Sequence, residues 1–126
     1  MTNFVLLISM LLISVGLNAT AQIFLRLGVM GKDLTVSINS ILLILLSMNV
    51  WYGIFCYMMS IFLWLFVLSK TQVSLAYPFQ AIGYAFGTFL AWYFLNEKIT
   101  SINILGLIVI VLGILILSIG IYSNEK

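Results

Sequence analysis

Apolar residues run along this chain in long blocks, broken in only a few places by polar clusters. A helix needs roughly 20 apolar residues, each rising about 1.5 Å, to cross a hydrocarbon core of about 30 Å. Four blocks reach that length: about residues 4–27, 50–69, 73–95 and 102–122. A further apolar run, about 36–48, is too short to cross and is set off from the second block by Asn49. It predicts a short helix that lies at the membrane interface or enters partway. The expected fold is all-α: an integral membrane protein with four transmembrane helices, a short interfacial helix before the second, and one domain over 1–126. The first block has no basic residue before it, because only Met1, Thr2 and Asn3 precede it, and it continues to about Leu25. It reads as a retained span rather than a cleaved leader.

The breaks between blocks carry ordinary turn chemistry. Gly28 and Gly31 are expected to end the first helix, with a turn at Gly31-Lys32-Asp33. Lys70-Thr71-Gln72 and Asn96-Glu97-Lys98 form the next polar loops, the second holding a solvated charge pair, Glu97 and Lys98. Thr100 or Ser101 can cap the fourth span, and Ser123 to Lys126 form a polar tail. Trp51, Tyr52 and Trp64 are candidate interfacial anchors. Pro78 falls in the first turns of its span, where a missing N–H is best tolerated.

Polar positions inside the spans are few and patterned. Ser14, Asn18, Gln22 and Arg26 recur every four residues, which places them on one slowly drifting stripe of the first helix. Lipid tails cannot hydrogen-bond, so such a stripe faces other helices or a wet cavity. Asn18 and Gln22 either line that cavity or bond a neighbouring helix. Arg26 either binds a phosphate bidentately or snorkels to the headgroups. Tyr77, Gln80 and Tyr84 share a face of the third span and fit either a substrate groove or interhelical packing. Small residues at Gly83, Gly87 and Ala91 suit close helix approach. Gly106, Gly113 and Gly120, spaced by seven, form a flat face on the fourth span. With one small-residue face already on the third span, that second face is assigned to dimer packing.

Composition narrows the function classes. Of the 126 residues, 64% are hydrophobic and 6% charged; soluble domains carry about 25% charged residues, so the chain is lipid-solvated. A net charge of +2 gives no nucleic-acid surface. There is no His, and the single Cys56 makes neither an internal disulfide nor a metal cluster. No hydrolase, kinase or phosphate-loop motif is present, and no cofactor or metal is expected. All three acids, Asp33, Glu97 and Glu125, sit at span ends or in loops. With four spans, Lys70 and Lys126 fall on one side and Arg26, Lys32 and Lys98 on the other, which leaves orientation open.

The run from Trp64 to Phe79 (WLFVLSKTQVSLAYPF), then Asn96-Glu97-Lys98-Ile99-Thr100, then Gly106 and Gly113, resembles the drug/metabolite transporter superfamily. Ala19 to Arg26 (ATAQIFLR) resembles its small four-span members. Matching Arg26 to the basic residue of the small multidrug resistance family puts Asn18 where that family has a membrane glutamate. The pairing of Gln22 with Arg26, followed by the tryptophan run and Ala76-Tyr77-Pro78, is more similar to the flippase subunits for aminoarabinose on undecaprenyl phosphate. The resemblance implies a dimeric four-helix subunit, homo- or heterodimeric, in a bacterial inner membrane, that moves a polyprenyl-phosphate-linked sugar and performs no enzymatic step. The headgroup is expected along Asn18, Gln22, Arg26, Tyr77, Gln80 and Tyr84, with the phosphate on Arg26 and Lys98 assisting. The alternatives are a small multidrug-resistance-like exporter of cations or metabolites, and a non-transporting subunit of a membrane complex.

Overall fold

The computed structural model describes residues 2–32 and 35–124, with side chains at 5–32, 35–74 and 76–120. The expected turn residue Asp33 and the tail residues Glu125 and Lys126 lie outside the described residues. Long helices follow the apolar blocks: α1 (Thr2–Val29), α3 (Met48–Leu68), α4 (Val73–Leu95) and α5 (Ser101–Asn124). The short run before the second block forms α2 (Ile38–Leu45). The described residues contain no strand. α1, α3 and α5 are long and apolar enough to cross a membrane. α4 is 23 residues long but more polar, interrupted by Ser74, Gln80, Thr88 and three tyrosines.

α1 is the hub of the packing. It lies most extensively against α3 and then against α4, while α5 packs on α4. The α1–α3 crossing depends on two glycines. Gly28 was expected to stop α1, but the helix runs through it to Val29. Gly28 is buried, and a Cβ there would collide with Val50. A Cβ at Gly53 would stand 2.8 Å from Leu25 Cγ and 3.0 Å from the Ala21 carbonyl oxygen. Gly28 therefore serves close approach, and the turn falls to Gly31, whose φ of +75° is the left-handed value that glycine adopts freely. Halfway along the same crossing, Ser14 Oγ donates to the Ser60 carbonyl and Ser60 Oγ donates to the Ser14 carbonyl, each at 2.8 Å. Both serines are buried. With no water available in a bilayer core, this reciprocal pair satisfies both hydroxyls internally.

Toward the Lys70 loop the three helices close on an apolar cluster of Leu11, Val67 and Ala76, with Leu7, Met10, Trp64, Leu68 and Phe79 packed around it. Here α3 and α4 meet, next to the short loop that joins them. Trp64, a candidate interfacial anchor, is part of this packing, with its ring centroid 6.5 Å from that of Tyr77 and the ring planes 77° apart. Pro78 is the sixth residue of α4, beyond the helix's orphan donors, so the Ser74 carbonyl lacks its usual partner and α4 continues regardless.

The opposite end is held by polar contacts. The Ser40 N–H donates to Ser37 Oγ at the start of α2. Lys32 Nζ donates to the Leu43 carbonyl at 3.0 Å and Trp51 Nε1 to the Leu45 carbonyl at 2.8 Å, which fixes the end of α2 beside α3. Asn96 ends α4 with φ 52°, and the Glu97 N–H returns to the Ala91 carbonyl at 3.3 Å. This is the left-handed helix stop that asparagine tolerates best after glycine. The Thr100 carbonyl accepts from Asn103 and Ile104 as α5 begins. The helix continues through the expected polar residues Ser123 and Asn124.

Candidate functional site: a polar cleft between α1, α3 and α4

Away from the apolar cluster α3 and α4 diverge, while α1 holds both. The space between them is a cleft of about 780 Å³. α1 contributes Ser14, Asn18 and Gln22, because a four-residue repeat keeps them on one face. α3 contributes Tyr57, Ser60, Ile61 and Trp64. α4 contributes Gln80, Tyr84 and Thr88, and its small residues Gly83, Gly87 and Ala91 form the wall nearest α1. A Cβ at Gly83 would stand 2.8 Å from Val15, so this wall cannot thicken without separating the helices. The loop after α4 supplies Glu97 and Lys98, and Asn103 comes from the first turn of α5.

The floor and the rim differ in chemistry. The floor lies against the apolar cluster near Ser14, Ser60, Trp64 and Gln80, and among the described residues no charged side chain lines it. The rim carries Glu97 and Lys98. Twelve residues separate Ser14 from Arg26 along α1, a rise of about 18 Å from the level of the floor to the helix end beside the rim.

The hydroxyls that can bond within a helix do so: Thr20 to the Gly16 carbonyl and Thr88 to the Tyr84 carbonyl, both at 2.8 Å. Among the described residues, the side chains of Asn18, Gln22, Gln80, Tyr57, Tyr84 and Asn103 have no hydrogen-bond partner within the protein. Polar groups in a lipid-embedded protein need such partners. Among the described residues no buried side-chain polar atom is left without a partner, so these amides and phenols are open to the cleft, where they can take water or a hydrogen-bonding ligand.

Of the residues predicted for the site, the structure brings Asn18, Gln22, Gln80, Tyr84 and Lys98 together in this cleft. Arg26 stands just outside it, with Nε 4.0 Å from Glu97 Oε1 and both side chains more than half exposed. Among the described residues, Glu97 thus stands beside Arg26 at the limit of an ion pair, and the expected pairing with Lys98 is not formed. Tyr77 turns toward Trp64 rather than the cleft. Gly106, Gly113 and Gly120 lie on the outer side of α5, with nothing within 4 Å of where a Cβ would be.

The sequence model of the EamA-like transporter family matches residues 2–119, which is nearly the whole of this helical bundle and its cleft. The chain belongs to the EamA-like transporter family. It is thus a membrane transporter, built on the drug/metabolite transporter plan that its tryptophan and Ala-Tyr-Pro segments resemble. Its curated relatives include two proteins described as probable 4-amino-4-deoxy-L-arabinose-phosphoundecaprenol flippase subunit ArnE. The one from Pseudomonas fluorescens is 28% identical over 109 residues, covering 86% of this chain and 94% of the relative. The one from Pseudomonas savastanoi is 30% identical over 105 residues, covering 83% and 90%. A protein from Shewanella sediminis described as probable 4-amino-4-deoxy-L-arabinose-phosphoundecaprenol flippase subunit ArnF is 28% identical over 122 residues, covering 86% and 81%. No solved structure gives a significant match.

Tyr57, Trp64, Thr88, Glu97 and Asn103 line the cleft of this EamA-like chain without having been singled out for it. Trp64 and Tyr57 sit in a block whose periodicity is featureless because nearly every position is apolar or aromatic. The one available signal was that Tyr57, Ser60 and Trp64 recur at three- and four-residue spacing on one face of α3.

Proposed function

We propose that this chain is a subunit of a flippase that carries the headgroup of a polyprenyl-phosphate-linked sugar across the bacterial inner membrane. The observation that carries this reading is the cleft itself, an uncharged floor ringed by unpartnered amides and phenols with Lys98 at its rim. Hydroxylated rings satisfy such groups, and a phosphate ester is drawn to a rim cation. The flippase described for the curated relatives acts on a lipid of this class.

In this reading α4 also crosses the membrane, as the third of four spans, since its 23 residues cover about 34 Å. α2 lies in the interface with Ile38, Ile41, Leu42 and Leu45 in the lipid. Lys98 receives the phosphate, and Arg26 joins it when the exposed contact with Glu97 opens. Asn18, Gln22, Gln80 and Tyr84 line the headgroup's route, while the prenyl tail stays in the bilayer. Tyr77 supports the site through Trp64 rather than by contact. The work is translocation, with no bond made or broken. The Gly106, Gly113 and Gly120 face of α5 receives a second small subunit, either a copy of this chain or a similar one.

The test is transbilayer movement of a labelled glycosyl polyprenyl phosphate in proteoliposomes, with this chain alone and with a candidate partner subunit. Movement above that of protein-free vesicles, reduced roughly tenfold in Lys98→Ala, is expected. Binding without movement under both conditions would leave the chain a non-transporting subunit.

A further inference from the structure

The floor near Ser14 lies about 18 Å of helix rise from the Arg26 end of α1, so a headgroup entering past Lys98 meets the rim first and the floor afterwards. At the floor, what touches the ring is set by Trp64, Gln80 and Asn18.

We infer that the cleft floor is a carbohydrate subsite selective for an uncharged, hydroxylated sugar ring, with Trp64 as its stacking platform and Gln80 and Asn18 as its hydrogen-bonding groups. This inference rests on the flippase reading and narrows its cargo.

Trp64 is packed on more than one side. It packs on the Leu11–Val67–Ala76 cluster, meets Tyr77 with the two ring planes 77° apart, and also lines the cleft. An indole fixed by its neighbours offers a large apolar surface at little cost in side-chain entropy. The C–H face of a sugar ring fits such a surface, and the ring's hydroxyls fit amides that can both donate and accept. Trp64 Nε1 has no hydrogen-bond partner among the described residues, whereas the same atom of Trp51 donates to a backbone carbonyl.

Charge decides what kind of ring is held. The only carboxylate among the described residues that line the cleft is Glu97, which lies at the rim beside Arg26. An ammonium group at the floor would be desolvated without a counter-ion, and the nearby aromatic faces only partly offset that loss. The floor therefore disfavours an amino sugar of the kind named for the curated relatives' flippase.

The test uses the full chain in detergent and three short-chain polyprenyl phosphates: one with a neutral sugar, one with a 4-amino sugar and one without a sugar. Affinities are measured by calorimetry. In a Trp51→Phe/Trp92→Phe variant, Trp64 is the only tryptophan and reports the floor by its fluorescence. The neutral glycosyl lipid is expected to bind roughly tenfold more tightly than either of the others and to change Trp64 emission saturably. Trp64→Leu and Gln80→Ala should each bring its affinity down toward that of the sugar-free lipid, while leaving the sugar-free lipid's own affinity unchanged. That unchanged binding also shows that the variants are folded. Equal affinity for all three lipids, preference for the amino sugar, or a uniform loss across the three in Trp64→Leu would overturn the subsite and leave the flippase reading standing. If none of the three lipids binds the unaltered chain, the flippase reading falls and the subsite with it.

Discussion

Ser14 and Asn18 sit one helical turn apart on the same stripe of α1 and do opposite things. Ser14 is buried and bonded reciprocally with Ser60, whereas Asn18 faces the cleft without a partner. The difference follows from reach. A serine hydroxyl extends just far enough to meet a backbone carbonyl at a close helix crossing, and an amide one turn on overlooks the space where α3 and α4 have parted. Replacing Ser14 or Ser60 by Ala should cost about 1 kcal/mol each. The double variant should cost less than the sum, because the two hydroxyls share one arrangement. Thermal or denaturant unfolding in detergent measures both, and strict additivity would show the pair to be uncoupled. Glycines separate in the same way. Gly53→Ala meets Leu25 and the Ala21 carbonyl and should destabilise by about 1–3 kcal/mol, whereas Gly106→Ala, with open space around it, should leave the isolated chain's unfolding unchanged. The Arg26–Glu97 contact is exposed on both sides. Glu97→Gln should cost no more than about 1 kcal/mol, a loss that shrinks further in high salt.

At the scale of elements, α4 needs the most argument. It is as long as its neighbours yet more polar, because one flank lines the cleft with Gln80, Tyr84 and Thr88 while another presents Gly83 and Gly87 to α1. A helix that faces a cavity can carry polarity across a bilayer that a lipid-facing helix cannot. If α4 spans, its two ends lie on opposite sides of the membrane. Single cysteines placed at Thr71 and Thr100 in a Cys56→Ser background should then react with an impermeant maleimide from opposite faces of sealed vesicles. Reaction of both from the same face would remove α4 as a span. α5 contrasts with it, being the most apolar of the long helices and in contact chiefly with α4, with its glycine face uncovered.

For the whole molecule, the arrangement is a bundle closed at one end and open at the other. The Leu11–Val67–Ala76 cluster plugs the side of the Lys70 loop, and the cleft opens toward the side of Arg26, Glu97 and Lys98. In the proposed flippase reading, moving a headgroup through requires that plug to part, with α1 and α3 pinned together at Ser14 and Ser60. Assembly belongs to the same scale. If the glycine face of α5 receives a second subunit, Gly113→Ile should convert a dimer to a monomer by native mass spectrometry without shifting the unfolding of the isolated chain. A dimer that survives the substitution would place the interface elsewhere.

The apolar blocks by themselves determined the helices, their order and their lengths, because helix formation and membrane solvation depend on local runs of residues. The four-residue polar stripe was legible for the same reason, and so was the family plan in the segments from Trp64 to Phe79 and from Asn96 to Thr100. The tertiary structure decided which member of each stripe bonds another helix and which faces a cavity. It packed Trp64 against the apolar cluster beside the cleft floor, set Tyr77 against Trp64, and placed Glu97 beside Arg26 rather than Lys98. Each of these outcomes depends on how closely two helices approach at a given level. That distance is set by residues far apart in sequence: Gly28 against Val50, Gly53 against Leu25, and Gly83 against Val15.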